Sequence, residues 1–221
     1  IVTTDLVRKV AAPYNAEIFD VLTGFKYIGD VIAKLEKKRE ETRYILGFEE
    51  SYGYLSGTYV RDKDAVNASM LVAEMTAYYK KKNMTLVDRL NQIYAEHGYY
   101  EHKLMSFDFP GADGQAKLKS LLENIRKSLP KTIAGSNVVK FVDYLTQTEA
   151  DLPRSNVLSF TMEDASKLII RPSGTEPMVK MYLTATKTEE ENQKLEHDSA
   201  LCGLSQSEYV RQLCRGIHPK P

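Results

Sequence analysis

Short apolar runs and helically spaced apolar positions alternate through the first half of the chain. "IVTT" (1–4) reads as a strand, and a helix follows from Asp5 to Tyr14 with Thr4 as its N-cap. "AEIFDVLTG" (16–24) reads as a second strand ending at a glycine turn. Ile28, Val31, Ile32 and Leu35 then recur at i, i+3, i+4 and i+7, which predicts a helix from Lys26 to Arg39. The "KKREE" run (37–41) is its solvated end. "YILGFEE" (44–50) is a short strand leading into the loop "SYGYLSGTYVRDKD" (51–64). Asp62 is placed to cap a long helix from Lys63 to Lys82, and a second helix runs from Thr85 to His97, closed by Gly98. Strands alternating with helices predict an α/β layer.

The second half has a different rhythm. "YYEHKLMSFDF" (99–109) alternates as a strand does, and a helix follows from Asp113 to Leu129, stopped by Pro130. "VVKFVDYL", "NVLSFTME", "SKLIIRP" and "PMVKMYLTAT" then read as hairpin-linked antiparallel strands. The expectation is an α/β unit over residues 1–98, a smaller α+β unit over 99–192 with an antiparallel sheet and flanking helices, and a tail over 193–221.

Composition narrows the function. The 221 residues are 43% apolar and 27% charged, enough for a real core under a water-soluble surface. Thirty basic residues balance thirty acidic ones, which argues against a general nucleic-acid or membrane-surface binder. No apolar run is long enough to span a bilayer. Two cysteines, Cys202 and Cys214, suit a reducing compartment, so a cytoplasmic setting is expected. The chain opens on Ile in what already reads as a strand, so it reads as starting inside a longer gene product.

Two loops carry chemistry. In "RPSGTEP" (171–177), Arg171 can contact a phosphate through two N–H groups, and Ser173 and Thr175 add hydroxyl donors. Gly174 would let backbone N–H groups turn inward as an anion nest, and Lys180 on the outgoing strand adds a cation. The residues alone leave an ordinary Ser-Gly turn with an arginine as the alternative. In "GFEESYGYLSG" (47–57), Glu49 and Ser51 fall on one side of an extended segment, a carboxylate and a hydroxyl suited to sugar hydroxyls. A solvated acidic turn is the alternative there.

Together "TGFKYIG", "GFEESYGYLSGTYVRDKDAV" and "RPSGTEP" resemble, in order and spacing, the α-D-phosphohexomutases, and within them the phosphoglucomutase/phosphomannomutase branch. The resemblance runs from Ile1 to about Glu190. It implies the third and fourth of four domains around a cleft. Carried over motif by motif, it implies that Glu49 and Ser51 read sugar hydroxyls, and that Arg171, Ser173, Gly174, Thr175 and Lys180 clamp the phosphate. Lys26 in "TGFK" and Lys63 in "RDKD" match cleft-facing cations.

The resemblance also implies what this stretch lacks. The family's phosphoserine loop and its Asp-rich Mg²⁺ loop are both without a match here, so the chain supplies no catalytic nucleophile and no metal ligand of its own. Ser56, Ser69 and Ser106 lack the phosphoserine context, and the four histidines show no ligand spacing. Implied for the full enzyme are Mg²⁺, a hexose 1,6-bisphosphate intermediate and a hexose phosphate substrate, with the missing N-terminal domains as partner. The fragment alone is expected to be inactive. From His197 onward the text departs from the mutase pattern, and "GLSQSEYVRQL" resembles mobilisation accessory proteins, with Ser205 as a helix cap. That leaves three alternatives: a non-catalytic sugar-phosphate-binding fragment, a fusion whose tail joins a DNA-mobilisation complex, or a divergent C-terminal helix.

Overall fold

The computed structural model describes residues 1–146, 152–174 and 176–187, with residues 190, 197, 198 and 200–202 beyond them. The tail motif "GLSQSEYVRQL", with Ser205, and Thr175 of the Arg171 loop lie outside the described residues.

The first half is mostly helical. Helix α1 covers Leu6–Ala11, and the Thr4 hydroxyl accepts the Leu6 N–H at 3.1 Å. A single 3-10 turn, Ala12–Tyr14, completes the segment expected to be one helix. Helix α2, Phe25–Lys37, buries Phe25, Ile28 and Ile32 against Leu55; of the predicted stripe Ile28 and Ile32 are buried, while Val31 and Leu35 are half-buried. Strands β1 (Gly47–Phe48) and β2 (Tyr54–Leu55) form a short antiparallel ladder around the Glu49 loop. Helix α3 spans Ala65–Lys80 and helix α4 spans Leu86–His97.

Two details differ from the sequence expectation. Residues 1–4 and 16–22 are not in a strand ladder, although the Ile1 ammonium donates to the Val21 carbonyl at 2.9 Å. A strand exists only where a neighbour completes its hydrogen bonds, and local pattern cannot supply one. Helix α3 is capped by Asp64 and not by Asp62. The Asp64 carboxylate accepts from Val66 and Asn67 N–H at 2.9 and 3.0 Å, while Asp62 pairs with Lys63. Asp64 wins because it sits in extended backbone immediately before the first helical residue. Helix α3 has no buried residue in this chain.

The second half is a six-stranded antiparallel sheet of order β3-β8-β7-β6-β5-β4. Its strands are β3 Tyr99–Asp108, β4 Thr132–Ile133, β5 Ser136–Asp143, β6 Leu158–Met162, β7 Lys167–Pro172 and β8 Met178–Lys187. Helix α5, Gly114–Lys127, lays Leu118 and Leu122 on one face, where Leu158, Phe160, Met162, Leu168, Ile170 and Val179 complete the larger core. The opposite face presents Val142, Ile169 and Tyr182, and these pack with Val2 and Leu22 from the first half. Strict alternation along β7 and β8 separates the two faces, because neighbouring residues point to opposite sides of a sheet. Among the described residues, no helix is long and apolar enough to cross a membrane.

Candidate anion-binding site

Register decides which polar side chains meet. Arg171 on β7 pairs with Lys180 on β8, and Lys180 pairs in turn with Ser106 on β3. Directly paired residues of antiparallel strands project to the same side. Ser106, Lys180 and Arg171 therefore form a row across three strands, at the loop end of the face that carries Ile169 and Tyr182. These three residues, with Ser173, Gly174, Glu176 and Met178, line an open cleft of about 560 Å³.

The Arg171 loop is closed by its own hydrogen bonds. The Ser173 N–H donates to the Met178 carbonyl at 2.8 Å, and the Ser173 hydroxyl accepts from the Glu176 N–H at 3.3 Å. Gly174 is outside the left-handed region, and an added Cβ would meet nothing within 4 Å. Its backbone is thus not turned into a nest by a positive φ, contrary to the reason offered for it from sequence. What Gly174 contributes here is an unobstructed approach to the backbone. Two cations in one row, beside a solvent-facing loop, make a surface suited to a doubly charged oxyanion.

Glu49, Ser51 and Lys63 lie on first-half loops and Lys26 in the first turn of α2, and none of them lines that cleft. Glu49 is the best fixed of them. Its carboxylate accepts the Gly24 N–H at 3.1 Å, tying the "TGFK" turn to the Glu49 loop, and its own N–H donates to Gly53 at 2.8 Å. A Cβ on Gly53 would stand 3.0 Å from the Glu49 carboxylate and 3.1 Å from Lys63, so the glycine makes room for both side chains. Ser51 is exposed at the loop tip, next to Tyr52 in the left-handed region. Lys26 is exposed and rests its ammonium 4.9 Å from the centre of the Tyr27 ring. Lys63 is likewise exposed, donating to Asp62 at 3.1 Å and lying 5.9 Å from the centre of the Phe25 ring.

Sequence reasoning passed over Ser106. It lacks any motif, and only the pairing of β3 with β8, far apart in the chain, brings it beside Lys180. Alternation along "YYEHKLMSFDF" could have put it on a polar face, but not on this one.

Similarity to known proteins covers both halves of the chain. The profile described as phosphoglucomutase/phosphomannomutase, alpha/beta/alpha domain III, matches residues 1–96. That of the C-terminal domain of the same family matches residues 112–201. Phosphoglucomutases of Staphylococcus haemolyticus (strain JCSC1435) and Staphylococcus aureus (strain MRSA252) are 34% and 37% identical over 194 residues. Each match covers 83% of this chain, but only 35% and 34% of those relatives' own lengths. The crystal structure of parafusin from Paramecium, a phosphoglucomutase in its open form, superposes with a TM-score of 0.58 at 22% identity, over 84% of this chain and 32% of that one. That likeness is one of fold. Two consecutive domain profiles and relatives at this identity place the chain: it belongs to the phosphoglucomutase/phosphomannomutase family and carries the third and C-terminal domains of that family.

Proposed function

We propose that this chain is the substrate-binding part of a phosphohexomutase that interconverts hexose 1-phosphate and hexose 6-phosphate. On this proposal residues 1–98 and 99–192 are its third and fourth domains. The observation that supports the proposal most directly is the row of Arg171, Lys180 and Ser106 beside the Ser173 loop. Arg171 grips the phosphate through paired N–H donors, and Lys180 neutralises further charge. Ser173, Thr175 and the open backbone at Gly174 complete the clamp. Glu49, oriented by the Gly24 N–H, accepts from sugar hydroxyls with Ser51 beside it, and Lys26 and Lys63, outside the Arg171 cleft, serve as further cations toward the substrate in the whole enzyme. Phosphoryl transfer depends mainly on positioning and charge stabilisation, and positioning is what these groups can provide.

In such an enzyme Mg²⁺ supplies charge neutralisation at the transferring group. The described residues do not fit the ion, since no cluster of three or more His, Cys, Asp or Glu stands where it could hold one. On this proposal the ion, the phosphoryl-carrying serine and the bisphosphate intermediate belong to other domains of a cytoplasmic enzyme. Alone, this chain binds sugar phosphate weakly and turns none over. An open cleft leaves each ionic contact screened by water and salt, so affinity is millimolar, about 4 kcal/mol. Chemical-shift titration with inorganic phosphate and with glucose 6-phosphate tests the proposal. Perturbations should centre on residues 171–180, with the sugar adding shifts around residues 49–51. Shifts confined to other regions, or turnover of glucose 1-phosphate that copurifies with this chain, would refute it.

A further inference from the structure

Strand β3 borders the cleft at the edge of the sheet. It pairs with β8 without a break from Tyr99 to Asp108, so the place of each of its side chains is set by a continuous backbone ladder. Ser106 stands on this ladder, exposed and directly opposite Lys180, which is itself directly opposite Arg171. The Cβ atoms of direct pairs are about 4.5–5.5 Å apart, so the three side chains can reach one bound oxyanion. Just past β3, the Phe109 N–H donates to the Pro177 carbonyl at 2.7 Å, which ties the outgoing end of the Arg171 loop to the same edge.

The charges around this cleft call for a neutral donor as well. Arg171 and Lys180 bring two positive charges and Glu176 one negative, while a phosphate ester carries about −1.5 to −2 at neutral pH. Arg171 and Lys180 also repel each other across their strands, and among the described residues Lys180 has no ion pair to steady it. The Ser173 hydroxyl already accepts the Glu176 N–H within the loop. Among the described residues, the Ser106 hydroxyl makes no hydrogen bond. A hydroxyl has one proton to give and two lone pairs, so it can donate to a phosphate oxygen while accepting from an ammonium.

We infer that Ser106 is a further phosphate-contacting residue: its hydroxyl donates to the terminal oxygen that the two-point grip of Arg171 leaves over, and accepts from the Lys180 ammonium beside it. This rests on the sugar-phosphate function proposed above. A phosphate ester offers three terminal oxygens, and a forked guanidinium takes two of them. Lys180 alone holds the third poorly, because an ammonium on a four-carbon stem is a mobile point charge. Ser106 supplies direction there, from a short side chain on a paired strand, which fixes a contact more precisely than a loop does.

The test is a titration of the whole chain with inorganic phosphate and with glucose 6-phosphate, followed by chemical shift. It uses the wild type, Ser106→Ala, Ser106→Thr, Lys103→Ala and Arg171→Ala. Ser106→Ala should weaken both ligands by the same factor, about 3–10-fold, the worth of one net hydrogen bond. Ser106→Thr keeps the hydroxyl and should restore wild-type affinity. Lys103 lies on the same strand three residues away and projects to the other face, so Lys103→Ala should leave both affinities unchanged. Wild-type affinity in Ser106→Ala overturns the contact, and so does a loss that Thr does not restore or that Lys103→Ala reproduces. A loss for glucose 6-phosphate alone would put Ser106 against the sugar and overturns it too. Arg171→Ala separates the two levels of the reasoning. If it binds phosphate as the wild type does, the sugar-phosphate function itself falls; if it weakens binding while Ser106→Ala does not, only the Ser106 contact falls.

Discussion

Arg126→Ala should unfold this chain more readily than any surface substitution. Arg126, in the last turn of α5, donates to Asp143 at the end of β5 through Nε at 2.8 Å and Nη2 at 3.2 Å, and to Asn156 at 2.6 Å. The Asp143 side chain is only 6% exposed, and that of Arg126 is 21% exposed. Deleting the arginine leaves a buried carboxylate with the Leu145 N–H at 3.0 Å. Breaking a buried pair this way costs about 3–5 kcal/mol. The surviving Leu145 bond and the partial exposure of Arg126 place the loss near the lower end, about 3 kcal/mol. Against a total of about 5–15 kcal/mol this is large, and it corresponds to a melting point lower by about 6–12 °C.

The assay is urea unfolding followed by far-ultraviolet circular dichroism, because the sequence has no tryptophan. Arg126→Met with Asp143→Asn should recover most of the loss, since no uncompensated charge is then buried. The acid limb gives a second check. Burial pushes the Asp143 carboxyl up, but its bonds to Arg126 and Leu145 outweigh that and hold it below its ordinary 3.8. The stability it contributes is therefore present above that value and lost as pH falls through the lower folded value. Without Arg126 burial dominates, and acid unfolding should begin at higher pH. A loss below about 1 kcal/mol with the acid limb unmoved would show that water screens this pair as it screens surface ones.

Asp64→Ala should destabilise α3 by about 1 kcal/mol through loss of two capped N–H groups, while Asp62→Ala should be silent in the same melt. Equal effects would undo the cap assignment. Gly114→Ala should lower stability sharply, because its Cβ would fall 1.9 Å from the Phe109 carbonyl oxygen, and a loss below about 1 kcal/mol would show that this junction can yield. Gly174→Ala, with open space around its Cβ, should leave the melt within about 0.5 kcal/mol. A large loss at Gly174 would mean that the loop needs a backbone state it does not show here.

Apolar spacing alone placed α2 and its buried stripe, the Thr85-capped helix α4 with Gly98 behind it, and five of the strands in the antiparallel sheet. Composition and the "RPSGTEP" and "EESYG" loops pointed to an anion and a sugar as ligands. These features are local, so the residues that specify them are neighbours in the chain. Other features depended on contacts between distant segments. Residues 1–4 and 16–22 have strand-like sequences but no complete ladder, because a strand's hydrogen bonds belong to its partner. Helix α3 forms where its sequence predicts a helix, yet its many apolar residues are not buried, because burial needs a second surface and not merely an apolar one. The pairing of β3 with β8 put Ser106 beside Lys180, and Val2 and Leu22 from the first half came to pack on Tyr182 of the sheet. A motif names the chemistry of its own loop. Which loops face one another is set by long-range register and packing, where a shift of one residue would turn every side chain of the row to the other face.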